Sequence, residues 1–183
     1  IVGVPGANMT PVVWGTAGGW TLRRSRVSGV ARGVRMSYDC TVDECWFDVD
    51  QYPDPAYHPD PHRSAVGCNW GARNAVRNSR IRISEPAASA ALALYTDQGN
   101  PNTDYVCEGN LFDGGSITAR FGDGTGLTSY VRVHGNRWGV EAYPGNLQPA
   151  AQFEVGNPGN TWGSDNVWLA TGEPVMPQWH TVP

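Results

Sequence analysis

The sequence contains no lysine, and all 13 of its basic residues are arginine. Charged residues make up only 16% of the 183 residues, whereas about 25% is usual for a soluble domain. The net charge is −4 and the densest basic cluster, RRSR at 23–26, is short, so the chain lacks the concentrated positive charge that binds nucleic acid. No apolar run approaches the roughly 18 residues that cross a bilayer. We therefore predict neither a nucleic-acid partner nor insertion into a membrane.

Motifs for nucleophilic catalysis and for phosphate binding are missing as well. The sequence has neither the Gly-Asp-Ser-Gly frame of trypsin-like proteases nor the G-x-S-x-G turn that presents a hydrolase serine. The glycine-rich stretch GDGTG at 122–126 lacks the Lys-Ser/Thr that follows a phosphate-binding loop. We interpret it as a hairpin turn between ITARF and TSYVRV. No cofactor is predicted, and these absences weigh against an enzyme without excluding one.

Glycine and proline are abundant instead, at 23 and 14 residues, and they interrupt the chain too often for helices of ordinary length. Apolar and polar residues alternate between the turn clusters, which is typical of half-buried strands. The predicted strands cover 11–15, 27–38, 45–50, 80–83, 116–121, 128–134, 138–143, 150–155 and 166–170. Residues 87–98 fit a helix or a strand, and we interpret them as a strand. No internal repeat is evident.

Short strands separated by frequent turns predict one all-β domain over 1–183 with little helix. We expect an antiparallel β-sandwich or jelly roll, or a barrel. An even set of cysteines favours two disulfides and an oxidising compartment, with the pairing left open: Cys40, Cys45, Cys68 and Cys107. Residues 40–78 would then form a long disulfide-tied loop. A zinc site built on Cys40 and Cys45 is the alternative, but it lacks a second short cysteine pair.

The stretch YPDPAYHPDPHR at 52–63 carries two histidines in a proline-locked segment. His58, Asp60 and His62 alternate with prolines, so an extended backbone would place their side chains on one side, as ligands of a metal. Repeated X-Pro steps also form exposed polyproline II segments that need no metal. We favour the rigid exposed loop and predict no metal site. Asn8 lies in an Asn-Met-Thr sequon, which predicts glycosylation if the chain is secreted.

Eight tryptophans are more than a core of this size requires. Several stand beside glycine or asparagine, where an indole is often partly exposed and offers a rigid flat face to a ligand. Sugar rings and protein partners both bind such faces when polar groups flank them. The stretch TWGSDNVW at 161–168 shows this pattern most clearly. The predicted ligand-binding residues are Trp162, Asp165, Asn166, Trp168, Trp138 and Arg137.

Paired carboxylates provide an alternative, catalytic interpretation. Glu141 and Glu154 lie on predicted strands beside aromatic residues, and polysaccharide hydrolases use two such acids. Alternation along a strand also puts a polar residue on its solvent side, and we prefer this simpler explanation.

The sequence thus predicts a non-enzymatic recognition domain, secreted or on the surface of a virion or other particle. Its partner would be a glycan, a cell-surface receptor or another protein, bound through loops that carry Trp, Asn, Asp and Arg. The missing initiator methionine at Ile1 fits a processed or excised chain. A secreted polysaccharide hydrolase and a structural subunit of an extracellular assembly are the alternatives. The residues leave open whether the chain forms a homo-oligomer.

Overall fold

The computed structural model describes residues 13–14, 17–50, 63–83, 90–96, 99–122, 124–139 and 150–181. No helix in this part of the chain is long and apolar enough to span a membrane. The strands are β1 (Val13–Trp14), β2 (Thr21–Arg23), β3 (Arg26–Ser28), β4 (Val34–Tyr38), β5 (Thr41–Asp43), β6 (Trp46–Val49), β7 (Ser64–Arg77), β8 (Arg80–Ile83), β9 (Ala90–Leu94), β10 (Asn102–Glu108), β11 (Leu111–Gly114), β12 (Ala119–Phe121), β13 (Thr128–His134), β14 (Arg137–Trp138), β15 (Ala151–Val155), β16 (Thr161–Trp162), β17 (Val167–Trp168) and β18 (Gln178–Thr181).

Every pairing between these strands is parallel, and the strands stack in three ladders. The first ladder runs β1-β4-β7-β9-β12-β15-β18, the second β2-β5-β7-β10-β13-β16, and the third β3-β6-β8-β11-β14-β17. The first two share the 14-residue strand β7 and form one 12-stranded sheet, while the third is a separate 6-stranded sheet. The chain therefore coils as a parallel β-solenoid, and successive coils add rungs to the ladders.

The chain is all-β with little helix, but the predicted antiparallel sandwich, jelly roll or barrel is wrong. A turn signal marks where a strand ends and does not say whether the chain folds back or turns a corner into another sheet. In the described part of this protein the chain passes into another ladder at these turns and does not form hairpins. Partners in register on the third ladder are separated by 20 to 34 residues along the sequence. Coils of such unequal length carry no fixed period, which explains why no repeat was evident.

The predicted positions of the strands agree with the structure better than their predicted pairing. Strand β13 coincides with the predicted strand at 128–134, and residues 87–98 contain strand β9. The hairpin expected between ITARF and TSYVRV is wrong, because β12 pairs with β9 and β15 whereas β13 pairs with β10 and β16. The interval 40–78, expected as a loop, contains β5, β6 and β7.

Buried polar side chains connect successive coils at the corner between the second and third ladders. Each accepts a hydrogen bond from the backbone of the coil before it: Cys45 N donates to Ser79 Oγ (3.0 Å), Ser79 N to Asn110 Oδ1 (3.0 Å), Asn110 N to Asn136 Oδ1 (3.0 Å) and Asn136 N to Asn166 Oδ1 (3.1 Å). The three asparagine amides donate in turn to main-chain carbonyls, so the polar atoms of this corner are satisfied. We call these five residues the corner column.

The residue before each of the first four members of the corner column has a left-handed backbone conformation. The angle φ is +53° at Glu44, +50° at Asn78, +65° at Gly109 and +62° at Gly135. Glycine adopts this conformation without steric cost, whereas a residue with a Cβ is strained there. The conformation directs the chain from one sheet into the next. The Gly-Asn dipeptides at 109–110 and 135–136 therefore mark this corner, although the sequence has other Gly-Asn dipeptides and the pair also occurs in hairpin turns.

The interior is filled by inward-facing side chains that stack in register from coil to coil. On the third ladder Val27, Phe47, Ile81, Phe112 and Trp138 follow one another on successive coils, and all five are completely buried. Removing apolar surface from water in this way stabilises the fold by about 25 cal/mol per Å². The stacked core holds the coils together without a covalent link between them.

The four cysteines are free thiols, so the predicted disulfides and disulfide-tied loops are wrong. Cys45 belongs to the corner column, Cys107 lies in the core of the second ladder, and Cys40 and Cys68 are buried as well. Desolvation raises the pKa of the Cys68 thiol to about 12 and also raises the pKa of Cys107. These thiols fill the interior as small apolar groups, which requires no pairing. The expectation of an oxidising compartment rested on disulfides and loses that support.

We predict that all four thiols are unreactive in the folded protein. Iodoacetamide at about pH 8 should label none of them, because all four thiols are buried and desolvation also raises the pKa of Cys45, Cys68 and Cys107. After unfolding in guanidinium chloride without a reductant, mass spectrometry should count four labels per chain. Two labels or fewer would reveal a native disulfide and contradict the structure.

Replacing Asn136 by alanine should destabilise the solenoid strongly for so small a change. Its side chain accepts the backbone N–H of Asn110 and donates to the carbonyls of Cys107 and His134, so its loss leaves buried groups without partners. We expect the free energy of unfolding to fall by about 2–4 kcal/mol in chemical denaturation. Gln152→Ala removes a half-exposed amide and should cost less than about 0.5 kcal/mol. Equal effects of the two changes would contradict this role of the corner column.

Candidate functional site

Three tryptophans of the described chain expose much of their indole ring. Trp14 is 60% exposed, Trp46 is 44% exposed and Trp70 is 36% exposed. Trp14 and Trp70 lie on the first sheet, in β1 and β7, and Trp46 begins β6 on the third ladder. These rings stand on strands, so the solenoid holds them in fixed positions.

Trp70 is exposed where β7 is irregular opposite β4. Between two paired positions β4 advances by two residues while β7 advances by four. The extra residues form a bulge, which redirects side chains out of a sheet and is common beside functional sites. The bulge requires glycine at position 71, because a Cβ on Gly71 would overlap the carbonyl oxygen of Ser37.

Trp14 and Trp70 line one small cleft on the first ladder, which we call the tryptophan cleft. Its lining residues are Trp14, Arg35, Met36, Ser37, Asn69 and Trp70. The Asn69 Oδ1 atom is buried and has no hydrogen-bond partner among the described residues. Two rigid indoles with an amide, a hydroxyl and a guanidinium beside them can stack on a ring and bind its polar substituents.

The six ligand-binding residues predicted from the sequence are divided between the core and the surface. Trp138 and Asn166 are fully buried. Trp162 and Trp168 are half-buried against the core, and Arg137 and Asp165 are exposed. Asn166 is a member of the corner column. The Gly and Asn residues of TWGSDNVW therefore mark a solenoid corner.

Trp162 packs within a cluster of aromatic side chains at the later coils. Its ring centroid lies 5.5 Å from the rings of both Trp138 and Phe153, and 6.2 Å from that of Phe121. Its Nε1 donates a hydrogen bond to the carbonyl of Val175 (3.1 Å). Since the ring and its polar atom are both engaged inside the protein, Trp162 stabilises the core of these coils.

Glu154, the candidate acid, is completely buried and surrounded by hydrogen-bond donors. Its Oε1 accepts the N–H groups of Gly124 (2.8 Å) and Thr125 (3.1 Å). Its Oε2 accepts the N–H (3.2 Å) and hydroxyl (2.5 Å) of Thr128 and the amide of Asn157 (2.8 Å). The glycine-rich loop before β13 thus wraps around this carboxylate. Such an arrangement supports a structural role for the side chain.

The other predicted site residues lie outside the described part of the chain. They are Glu141, the candidate metal ligands His58, Asp60 and His62, and the sequon residue Asn8. Among the residues that the structure does describe, no group of three or more His, Cys, Asp and Glu side chains could hold a metal ion.

Comparison with protein-family models, curated proteins and solved structures found no match to this chain. The candidate site therefore rests on its geometry. A sequence signal for Trp70 existed, because the indole stands between asparagine and glycine in Asn69-Trp70-Gly71. Nothing in the sequence indicated that Trp70 lies near Trp14. The two residues meet because β1 pairs with β4 and β4 pairs with β7.

Replacing Glu154 by glutamine should lower stability, because the new NH₂ group must face donors that now point at a carboxylate oxygen. We expect a loss of about 2–3 kcal/mol in the free energy of unfolding, measured by chemical denaturation. Glu173→Gln, at an exposed acid, is the matched control and should change stability by less than about 0.5 kcal/mol. An unchanged unfolding midpoint in the Glu154 variant would contradict the structural role.

Proposed function

We propose that this chain is a recognition domain that binds a glycan at the tryptophan cleft and performs no catalysis. The observation that carries the proposal is the bulge in β7, which brings the indole of Trp70 out of the sheet beside Trp14. A sugar ring has apolar faces and a polar edge. Indole rings stack on the faces, and groups such as the Asn69 amide and the Arg35 guanidinium bind the edge.

Hydrogen bonds beneath the cleft support the proposal because they hold its backbone in place. The Asn74 amide donates to the carbonyl of Ser37 (2.6 Å), and its Oδ1 accepts the N–H of Cys40 (2.9 Å). Asn74 belongs to β7 and Ser37 to β4, so the first bond joins the two strands that form the bulge, and the second holds the corner that follows β4. A site fixed in this way loses little conformational entropy when a ligand binds.

The small size of the cleft favours a sugar over a protein partner. Stable protein interfaces bury about 800 Å² on each side. The tryptophan cleft has a volume of only about 50 Å³, so a sugar ring would stack on the two exposed indoles at its mouth and would not enter it.

Alanine at Trp70 or at Trp14 should weaken glycan binding by about 1–3 kcal/mol, the loss typical of a contact aromatic. A glycan array with the wild-type domain identifies the ligand, and calorimetric titration of the best oligosaccharide measures the affinity of each variant. Tyr130→Ala removes a ring in β13 that is 52% exposed, and it should bind like the wild type.

Wild-type affinity in both tryptophan variants would contradict the proposal, as would an array on which no glycan is bound. Shortened saccharides released from the bound ligand would contradict the absence of catalysis and indicate a hydrolase.

A further inference from the structure

A second surface, on the third ladder, carries a regular pattern of positive charge. The first residues of its strands pair in register from coil to coil, and they alternate between arginine and an apolar residue. In order they are Arg26, Trp46, Arg80, Leu111, Arg137 and Val167. The three arginines and the tryptophan are exposed, and the other two residues are half-buried. We call this set the arginine track.

The spacing of the arginine track follows from the geometry of a parallel sheet. Neighbouring strands lie about 4.8 Å apart, so residues two rungs apart are separated by about 9.6 Å. The track therefore presents a guanidinium about every 9.6 Å along the solenoid axis, with an apolar side chain between each pair. This periodicity matches a linear polymer that carries an acidic group on alternate units and an apolar face between them.

Trp46 holds two of the arginines in position. The Arg26 Cζ atom lies 5.4 Å from the centre of the Trp46 ring, and the Arg80 Cζ atom lies 4.9 Å from it. Stacking on an indole fixes a guanidinium while its N–H edge stays available for a bidentate bond to a carboxylate. An open cleft of about 480 Å³ adjoins these side chains, which is enough room for a saccharide.

Two acidic side chains beside the first rungs of the track, Glu44 and Asp48, already bind other arginines. Glu44 accepts a hydrogen bond from Arg24 Nε at 2.6 Å, and this bond lowers the pKa of its carboxyl. Asp48 lies 3.6 Å from Arg82. Arg80 and Arg137 form no ion pair with any described residue. The track is therefore a positive surface on a chain whose net charge is −4.

We propose that the arginine track binds an acidic polysaccharide that lies along the solenoid axis. Its carboxylates would be held by Arg80 and Arg137, and the face of the intervening sugar would pack on the apolar side chain between them. Side-by-side guanidinium forks suit carboxylates, which they bind bidentately. This site lies on a different sheet from the tryptophan cleft and does not depend on the function proposed there.

The test uses fluorescent hyaluronate oligosaccharides, which carry a carboxylate on every second sugar, and fluorescence anisotropy at low ionic strength. Arg80→Gln and Arg137→Gln should each weaken binding about five-fold, the effect of losing one exposed charge pair. The double variant should lose more, and added salt should weaken wild-type binding. Arg132→Gln is the matched control: this arginine is exposed on the second ladder and pairs with Asp104 at 3.0 Å, and its loss should leave binding unchanged.

Wild-type affinity in the double variant would overturn the proposal. Equal binding of neutral dextran of the same length, or tighter binding of single-stranded DNA than of hyaluronate, would overturn it as well. Trp70→Ala tests whether the polymer binds at the tryptophan cleft instead of the track. Loss of hyaluronate binding in that variant, with normal binding in the arginine variants, would assign the polymer to the cleft and overturn the track.

Discussion

The solenoid depends on one repeated interaction, in which a buried side-chain oxygen accepts the backbone N–H of the coil before it. A corner leaves the chain no neighbouring strand to satisfy that donor, and an unsatisfied buried group costs about 1–3 kcal/mol. Asn110, Asn136 and Asn166 solve the problem on later coils, and Ser79 solves it with a shorter side chain. Because these bonds fix each coil against the next, they also fix the register of all three ladders.

Left-handed residues at two corners form exposed ion pairs with each other from one coil to the next. At the corner between the first and second ladders, Asp39 (φ +54°) and Arg73 (φ +57°) stack on successive coils and form a bidentate pair at 2.6 and 2.7 Å. At the next corner Arg24 (φ +47°) and Glu44 (φ +53°) also stack on successive coils, and Arg24 Nε donates one hydrogen bond to Glu44 at 2.6 Å. A left-handed residue with a Cβ costs about 1–2 kcal/mol, and an exposed ion pair contributes less than that because solvent screens it. The pairs thus offset part of the strain where glycine is absent.

The sequence revealed where strands lie but not what they pair with, and the tryptophans show why. Whether an indole faces water depends on its distance from the corner residue. Trp46 comes one residue after Cys45 and points outward, whereas Trp138 comes two residues after Asn136 and is buried. That count requires knowing that Cys45 and Asn136 occupy equivalent corners, and coils of unequal length conceal the equivalence. Without the positions of the corners, four core thiols were interpreted as two disulfides. The loop that wraps around Glu154 was interpreted as a hairpin turn for the same reason.

Once the corners are known, the arginine track can be located in the sequence. Each of its members after Arg26 directly follows a residue of the corner column, in the dipeptides CW, SR, NL, NR and NV. The fold constrains the first residue of each dipeptide, which must be small and polar and must bond to the neighbouring coil. It demands little of the second, since tryptophan, leucine, valine and arginine all occupy that position. Folding therefore explains the column of serine, cysteine and asparagine but not the return of arginine on every second coil. A ligand with the same period would explain it.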